Sequence, residues 1–367
     1  MFRDDRLIQR AILAFALGSG LVGDIVMAIN TARGGPFIDF NVFWTVARVD
    51  PHIVYNVDLL TQAQHLITRP EAGPRPFAYP PSAIPWLSVF GLLPYWLALT
   101  AWTTAGVTLF AVAASRLFRP TGALLALFSP LAFLVALAGQ LTFFVTAALV
   151  TTISFVRTKP VFAGVLIGVA ATVKPQAVAL APLALVAGGH WKALAACLVT
   201  GLGIGLACVA LQGPELWAAW LAAVPNFLQI VASPDFIRPG LTPSALAGAL
   251  GLDGPGRLGM MVAGSGLGVA TVWTVFRRSE EPATRIAALV CGSLLCLPYA
   301  LNYELAALAP AAAAMMLDRN AGRLTWIAAA VAFSGFGGPV AVIVLAGVLL
   351  WKSRAAQAPV PAPVTAA

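Results

Sequence analysis

Eight side chains in this sequence are poorly explained as loop anchors: Asp39, Tyr79, Gln140, Lys174, Gln176, Asn302, Tyr303 and Glu304. They are carboxylates, an amine, amides and phenols, groups that can take up a proton, hold a negative charge or hydrogen-bond to hydroxyls. Lys174 and Glu304 matter most, because each sits between apolar runs with almost no loop around it. An ionised side chain in such a place is costly unless it is paired or wetted. A water-filled cavity open to one face would satisfy all eight. Each also has a plainer explanation. Asp39 could be a solvated loop carboxylate, and Lys174 could snorkel to headgroups. Lys174 and Glu304 could form a structural bridge. Gln140 could cap or bond between helices, and Tyr79-Pro80-Pro81 could be a rigid loop end in an aromatic belt.

The elements that must position these groups are membrane helices. Of 367 residues, 60% are hydrophobic and 10% charged, against about 25% charged in soluble domains. Too few charges remain to face water, whereas apolar runs such as residues 323–351 fit a bilayer. The net charge of +8 is spread in ones and twos between apolar runs, as at Arg157 with Lys159 and Arg277 with Arg278. That is loop anchoring, not a nucleic-acid surface. Cys197, Cys208, Cys291 and Cys296 lie in apolar stretches without a CxxC pair, so neither disulfides nor zinc are expected. His52 and His65 lack metal-ligand spacing. The Gly-rich stretches lie inside apolar helices and read as close packing.

The expected organisation is one polytopic membrane domain over residues 1–352, with an Ala/Pro tail over 353–367 expected to be disordered. Residues 8–30 form the first helix, flanked by Asn30 and Arg33 without a cleavage site, so it is expected to stay. The first outer loop, 31–81, carries two surface helices, 40–49 and 58–67, the second with Asp58 as N-cap. Apolar segments follow at 82–93, 95–115, 122–138, 141–156, 161–173, 176–188 and 193–211. After a second outer loop, 212–257, come 258–276, 284–300, 303–317, 324–336 and 339–351. Positive-inside counting from the two ends agrees only if one segment between 82 and 138 fails to cross. The Pro130-broken segment 122–138 is the expected exception, which leaves Arg116 and Arg119 outside. The eight polar groups then share the outer face.

The motif order resembles glycosyltransferase family 87, membrane transferases that use polyprenyl-phosphate sugars and have the GT-C fold. The matching residues are Asp39-Phe40 with Tyr55 downstream, Phe77-Ala78-Tyr79-Pro80-Pro81, Gly139-Gln140, and Lys174-Pro175-Gln176. Last come Leu297-Pro298-Tyr299 with Asn302-Tyr303-Glu304. Two departures stand out: Tyr303-Glu304 replaces the more usual Tyr-Asp, and Tyr299 stands where histidine is often found.

The resemblance implies an all-α integral membrane protein with a GT-C type fold and about 11–13 transmembrane helices. It implies an inverting hexosyltransferase, with mannose the commonest donor sugar. Asp39 would be the catalytic base. Lys174, Gln176 and Tyr79 would bind the donor phosphate. Gln140, Tyr299, Asn302, Tyr303, Glu304 and Tyr55 would bind sugar or acceptor. The donor is expected to be a polyprenyl-phosphate sugar and the acceptor a glycolipid or polysaccharide. The prenyl tail would lie against Phe143, Phe144 and Trp86. No cofactor and no metal are expected, and nucleic acid is not a partner. The location implied is a bacterial-type inner membrane with the site facing the exterior. A secondary transporter or a flippase is the alternative, and it predicts internal repeats or no base at Asp39.

Overall fold

The computed structural model describes residues 38–66, 75–232 and 240–355, with isolated helical positions at 14, 18, 21, 22, 25 and 29. Most of the expected first helix, part of each outer loop and the tail from residue 356 lie outside the described residues. The described chain is α-helical without strands, apart from a single bridge between Gly240 and Leu301. It is an all-α membrane fold, as the composition requires. Among the described residues three helices are individually long and apolar enough to cross a bilayer: Tyr95–Ala114 (α4), Trp191–Gln212 (α10) and Gly254–Arg278 (α13). Shorter apolar helices accompany them, including Thr142–Phe155 (α7), Pro160–Val173 (α8) and Pro282–Cys296 (α14). Proline opens α8 and α14 in the first turn, where its missing N–H costs nothing.

Before α4 the described residues form three short α-helices, Ile38–Val46 (α1), Val57–Gln64 (α2) and Ile84–Gly91 (α3). The N-cap of α2 is Asn56, not Asp58. The Asn56 side chain accepts from the Leu59 N–H at 3.0 Å, while Asp58 sits in the first turn where its charge suits the helix dipole. Helix α3 folds back along α1, and Arg48 donates to the Gly91 carbonyl at 2.8 Å. Eight residues at 1.5 Å each span about 12 Å, far short of a bilayer.

This corrects the expected path. Helix α4 starts at Tyr95, 5.6 Å from the Phe40 ring, and ends at Ala114, two residues before Arg116, whose guanidinium lies 4.5 Å over Phe155. Lys159 faces that same ring at 5.4 Å, so Arg116 belongs with Arg157 and Lys159 at the basic end of the bundle. The return is made by Arg119–Leu127 (α5) and Pro130–Ala138 (α6), whose axes bend by 60° between them. Gly122 lies beside Leu317 at the basic end and Gly139 against Phe40 at the other. The path therefore takes 82–93 back along α1 at the Phe40 end, and the Pro130-broken segment runs from one end of the bundle to the other.

The long core is built largely from small residues. A Cβ on Gly164 would lie 2.2 Å from the Ala193 carbonyl oxygen, and one on Gly168 2.8 Å from that of Cys197, so α8 and α10 touch backbone to backbone. A second, aromatic core gathers Phe40, Phe43, Tyr79 and Trp102 around α1. It ties the segment around α1 to the bundle.

Candidate active site

Three of the sequence motifs are places where a helix is interrupted, and all three interruptions meet at the end of the bundle opposite Arg116. Helix α6 ends at Gly139, which caps it in the left-handed conformation at φ +70°. A Cβ there would lie 2.5 Å from the Phe40 Cβ, so only glycine lets Gly139-Gln140 reach Asp39-Phe40. Trp102 Nε1 donates to the Gly139 carbonyl at 3.0 Å and fixes the turn. Helix α8 ends at Lys174 because Pro175 disfavours a helical residue before it. Lys174 turns out of the helix (φ −141°, ψ 71°). Helix α14 ends before Pro298, and the chain runs extended to Leu301, where it bridges to Gly240. It then resumes as the 3-10 helix Asn302–Leu308. Non-helical backbone at such a depth is tolerated where it lines a polar cavity.

The side chains released by these breaks converge. Asp39, half-buried on α1, accepts a hydrogen bond from Gln140. The Gln140 amide oxygen accepts from the Leu141 N–H at 3.1 Å and, at a long 3.4 Å, from the Tyr79 hydroxyl. That leaves its NH2 to serve the carboxylate. Lys174, 2% exposed, forms an ion pair with Glu304. Its ammonium stands 5.9 Å from both the Tyr79 and Tyr303 ring centroids. Glu304 also borders a cavity of about 20 Å³ that includes Thr142 and Ser293, whose hydroxyl oxygens are buried without a protein partner. One water fits there.

Helix α1 packs at this end without traversing the bundle, so Asp39 lies outside the spans. Burial pushes its carboxyl above the ordinary value. The Gln140 hydrogen bond and then the positive charges of Arg75 and Lys174 pull it back, while Glu304 adds to the rise. Two carboxylates, Asp39 and Glu304, thus lie within electrostatic reach of two cations, Arg75 and Lys174.

The other expected site residues fall around this core. Gln176 hydrogen-bonds to Tyr299, whose ring packs edge-on against Phe227 at 5.0 Å. The Asn302 side chain accepts from the Tyr303 N–H at 3.1 Å. Tyr55 stands behind the pocket, donating its hydroxyl to the Tyr79 carbonyl at 2.9 Å. The expected tail-binding walls are not together. Phe143 is core, 5.1 Å from Phe110, and Phe144 packs 4.7 Å from Trp102, whereas Trp86 is 45% exposed. Sequence reasoning missed Arg75. Its backbone carbonyl is held by Gln64 Nε2 at 2.9 Å, and its Nε is buried without a hydrogen-bond partner. The available signal was an arginine two residues before Phe77-Ala78-Tyr79. Among the described residues no group of three or more His, Cys, Asp or Glu side chains is placed to hold a metal ion.

No curated protein and no solved structure matches the chain. The sequence pattern of glycosyltransferase family 87 matches residues 77–298, a stretch that includes Tyr79, Gln140, Lys174 and Gln176 and stops one residue short of Tyr299. With more than half of its length matched, the chain belongs to glycosyltransferase family 87.

Proposed function

We propose that this glycosyltransferase moves a hexose, mannose being the first candidate, from a polyprenyl phosphate to a glycolipid or polysaccharide acceptor. The observation that carries the reading is the meeting of Asp39 with the Lys174–Glu304 pair at three helix breaks. An acceptor hydroxyl attacks the anomeric carbon and gives its proton to the Asp39 carboxylate. The bond from that carbon to the phosphate oxygen breaks, and the leaving prenyl phosphate carries one further negative charge. Attack opposite the leaving group inverts the anomeric centre. Lys174, helped by Arg75, Gln176 and Tyr79, holds that charge. Gln140, Asn302, Glu304 and Tyr303 have amide, carboxylate and phenol groups suited to sugar hydroxyls. Tyr299 reaches them through Gln176, and Tyr55 supports Tyr79. The cations supply the charge stabilisation, so the reaction runs without a metal.

Arg116, Arg157, Lys159, Arg277 and Arg278 lie at the other end, which the positive-inside rule assigns to the cytosol. The site then faces the exterior of a bacterial-type inner membrane. The test is turnover of a radiolabelled polyprenyl-phosphate hexose by the purified protein, with Asp39→Asn beside it. Loss of transfer with donor binding retained supports the reading. Unchanged transfer in Asp39→Asn refutes the base. A transporter would leave the glycosidic donor intact in both.

A further inference from the structure

Thr142 and Ser293 belong to none of the sequence motifs, yet both border the small cavity beside Glu304. Thr142 opens α7, and Ser293 lies in the last turn of α14. Both are buried, and neither hydroxyl has a protein partner. Helical hydroxyls elsewhere in the chain bond back to the carbonyl one turn earlier, as Ser88, Thr146 and Ser154 do at 2.9, 2.6 and 2.7 Å. Ser293 makes no such bond, and Thr142 has no helical turn before it. An unpaired buried hydroxyl is costly, so two of them sharing a cavity with a carboxylate mark a polar site. The cavity, about 20 Å³, admits one water. A metal ion is disfavoured there because the Lys174 ammonium already neutralises Glu304. We propose that Thr142 and Ser293, through one bridging water, form a second seat for the Glu304 carboxylate, which holds it when the donor phosphate takes Lys174. The inference rests on the phosphate-binding role of Lys174 given under Proposed function.

Electrostatics call for such a seat. Lys174 is buried and its ammonium is paired with Glu304, so a phosphate that binds it arrives beside a carboxylate. Like charges in contact repel strongly where water is excluded, and the carboxylate also loses its hold on the cation. Hydrogen-bond donors on the cavity side offset both losses, because charge-assisted bonds to a carboxylate are strong. Tyr79 and Tyr303, whose rings flank the ammonium, do not line the cavity. The side-chain donors that do are the hydroxyls of Thr142 and Ser293. Their position is fixed independently of the ion pair, since α7 and α14 each pack against the 3-10 helix Asn302–Leu308 that carries Glu304. Glu304 already borders the cavity, so a side-chain rotation brings its carboxylate to the seat without backbone movement. Before the donor arrives the water satisfies the two hydroxyls, and afterwards it donates to the carboxylate as well.

The experiment removes the hydroxyls while keeping the shape of the site. Thr142→Val and Ser293→Ala, singly and together, are compared with wild type for affinity to a long-chain polyprenyl phosphate and for thermal unfolding in detergent. The double variant should bind the lipid phosphate about tenfold more weakly, the worth of one hydrogen bond to a charged group. Thr142→Ser, which keeps the hydroxyl, should stay within about twofold of wild type. On a Glu304→Gln background there is no charge to reseat, so the same two substitutions should cost no more than about twofold further. The single variants carry the comparison if the double variant does not accumulate as a monodisperse protein. Unchanged affinity overturns the seat whichever way thermal stability moves, because the hydroxyls are then structural or merely unpaired. An equal loss on the Glu304→Gln background also overturns it, since the hydroxyls then act without the carboxylate. Either result leaves the functional reading intact if wild type transfers hexose from a polyprenyl-phosphate donor. Absence of that transfer overturns the functional reading and the seat with it.

Discussion

Replacing Gly139 by alanine perturbs the alignment of Asp39 without touching any polar group. The new methyl would start 2.5 Å from the Phe40 Cβ, against ordinary contacts of 3.4 Å or more, so one of the two must move by about 1 Å. Phe40 cannot yield alone, being fully buried against the Tyr95 and Trp102 rings. Helix α1 would therefore shift and carry Asp39 away from Gln140. A misplacement of about 1 Å can cost on the order of 100-fold in rate. The left-handed conformation adds a stability cost of roughly 1–2 kcal/mol. Gly335 supplies the control, since it caps Arg323–Ser334 at φ +76° and its Cβ would meet only the flexible end of Leu131. Gly335→Ala therefore carries the backbone cost without the displacement. Both variants should lose similar thermal stability in detergent, and only Gly139→Ala should lose about 100-fold in kcat/KM for hexose transfer. If the two retain equal activity, or if Gly139→Ala stays within threefold of wild type, the glycine does not set the position of the carboxylate.

Two further outcomes follow from the charges in the pocket. Because burial raises the Asp39 carboxyl and a base works only when ionised, kcat/KM should be lost as pH falls through an inflection above the ordinary carboxylate range. Arg75→Ala should move that inflection higher by removing a nearby positive charge, whereas an unmoved inflection would mean Asp39 is not the titrating group. Lys174→Met should cut kcat by about 10²–10³, the usual effect of removing one group that stabilises developing charge. The double variant Lys174→Met with Glu304→Leu separates the two explanations of the pair: a structural bridge replaced by apolar contacts regains transfer, a phosphate-binding cation does not. Steady-state kinetics on membranes with matched protein levels reads both.

Much of the architecture was legible because it rests on composition and on strong local signals. The apolar runs and the prolines at 130, 160, 175 and 282 mark where helices start or break. The isolated charges at Lys174 and Glu304 flagged two groups that each needed a partner or water, and the structure pairs them. The failures came where apolarity was taken for crossing. Residues 84–91 are as apolar as a span, but α3 is too short and is pinned by Arg48, a contact 43 residues away in sequence. Arg116 was misplaced for the same reason, its location being set by Phe155 on another helix. Arg75 was invisible because its place near Asp39 depends on two parts of the chain, 36 positions apart, meeting. Phe143 and Phe144 look like lipid-facing aromatics in a one-dimensional reading, and only the neighbouring Phe110 and Trp102 show them to be interior.

Helices α7 and α8, adjacent in space, have 14 residues each. At 1.5 Å per residue each is about 21 Å long, while the hydrocarbon layer of a typical bilayer is about 30 Å. The neighbouring Trp191–Gln212 helix has 22 residues, about 33 Å, and continues past the point where α8 stops, so nothing requires the layer around it to thin. The break at Lys174 therefore lies below the level its longer neighbour reaches, and the ion pair with Glu304 is recessed within the bundle, not perched at its end.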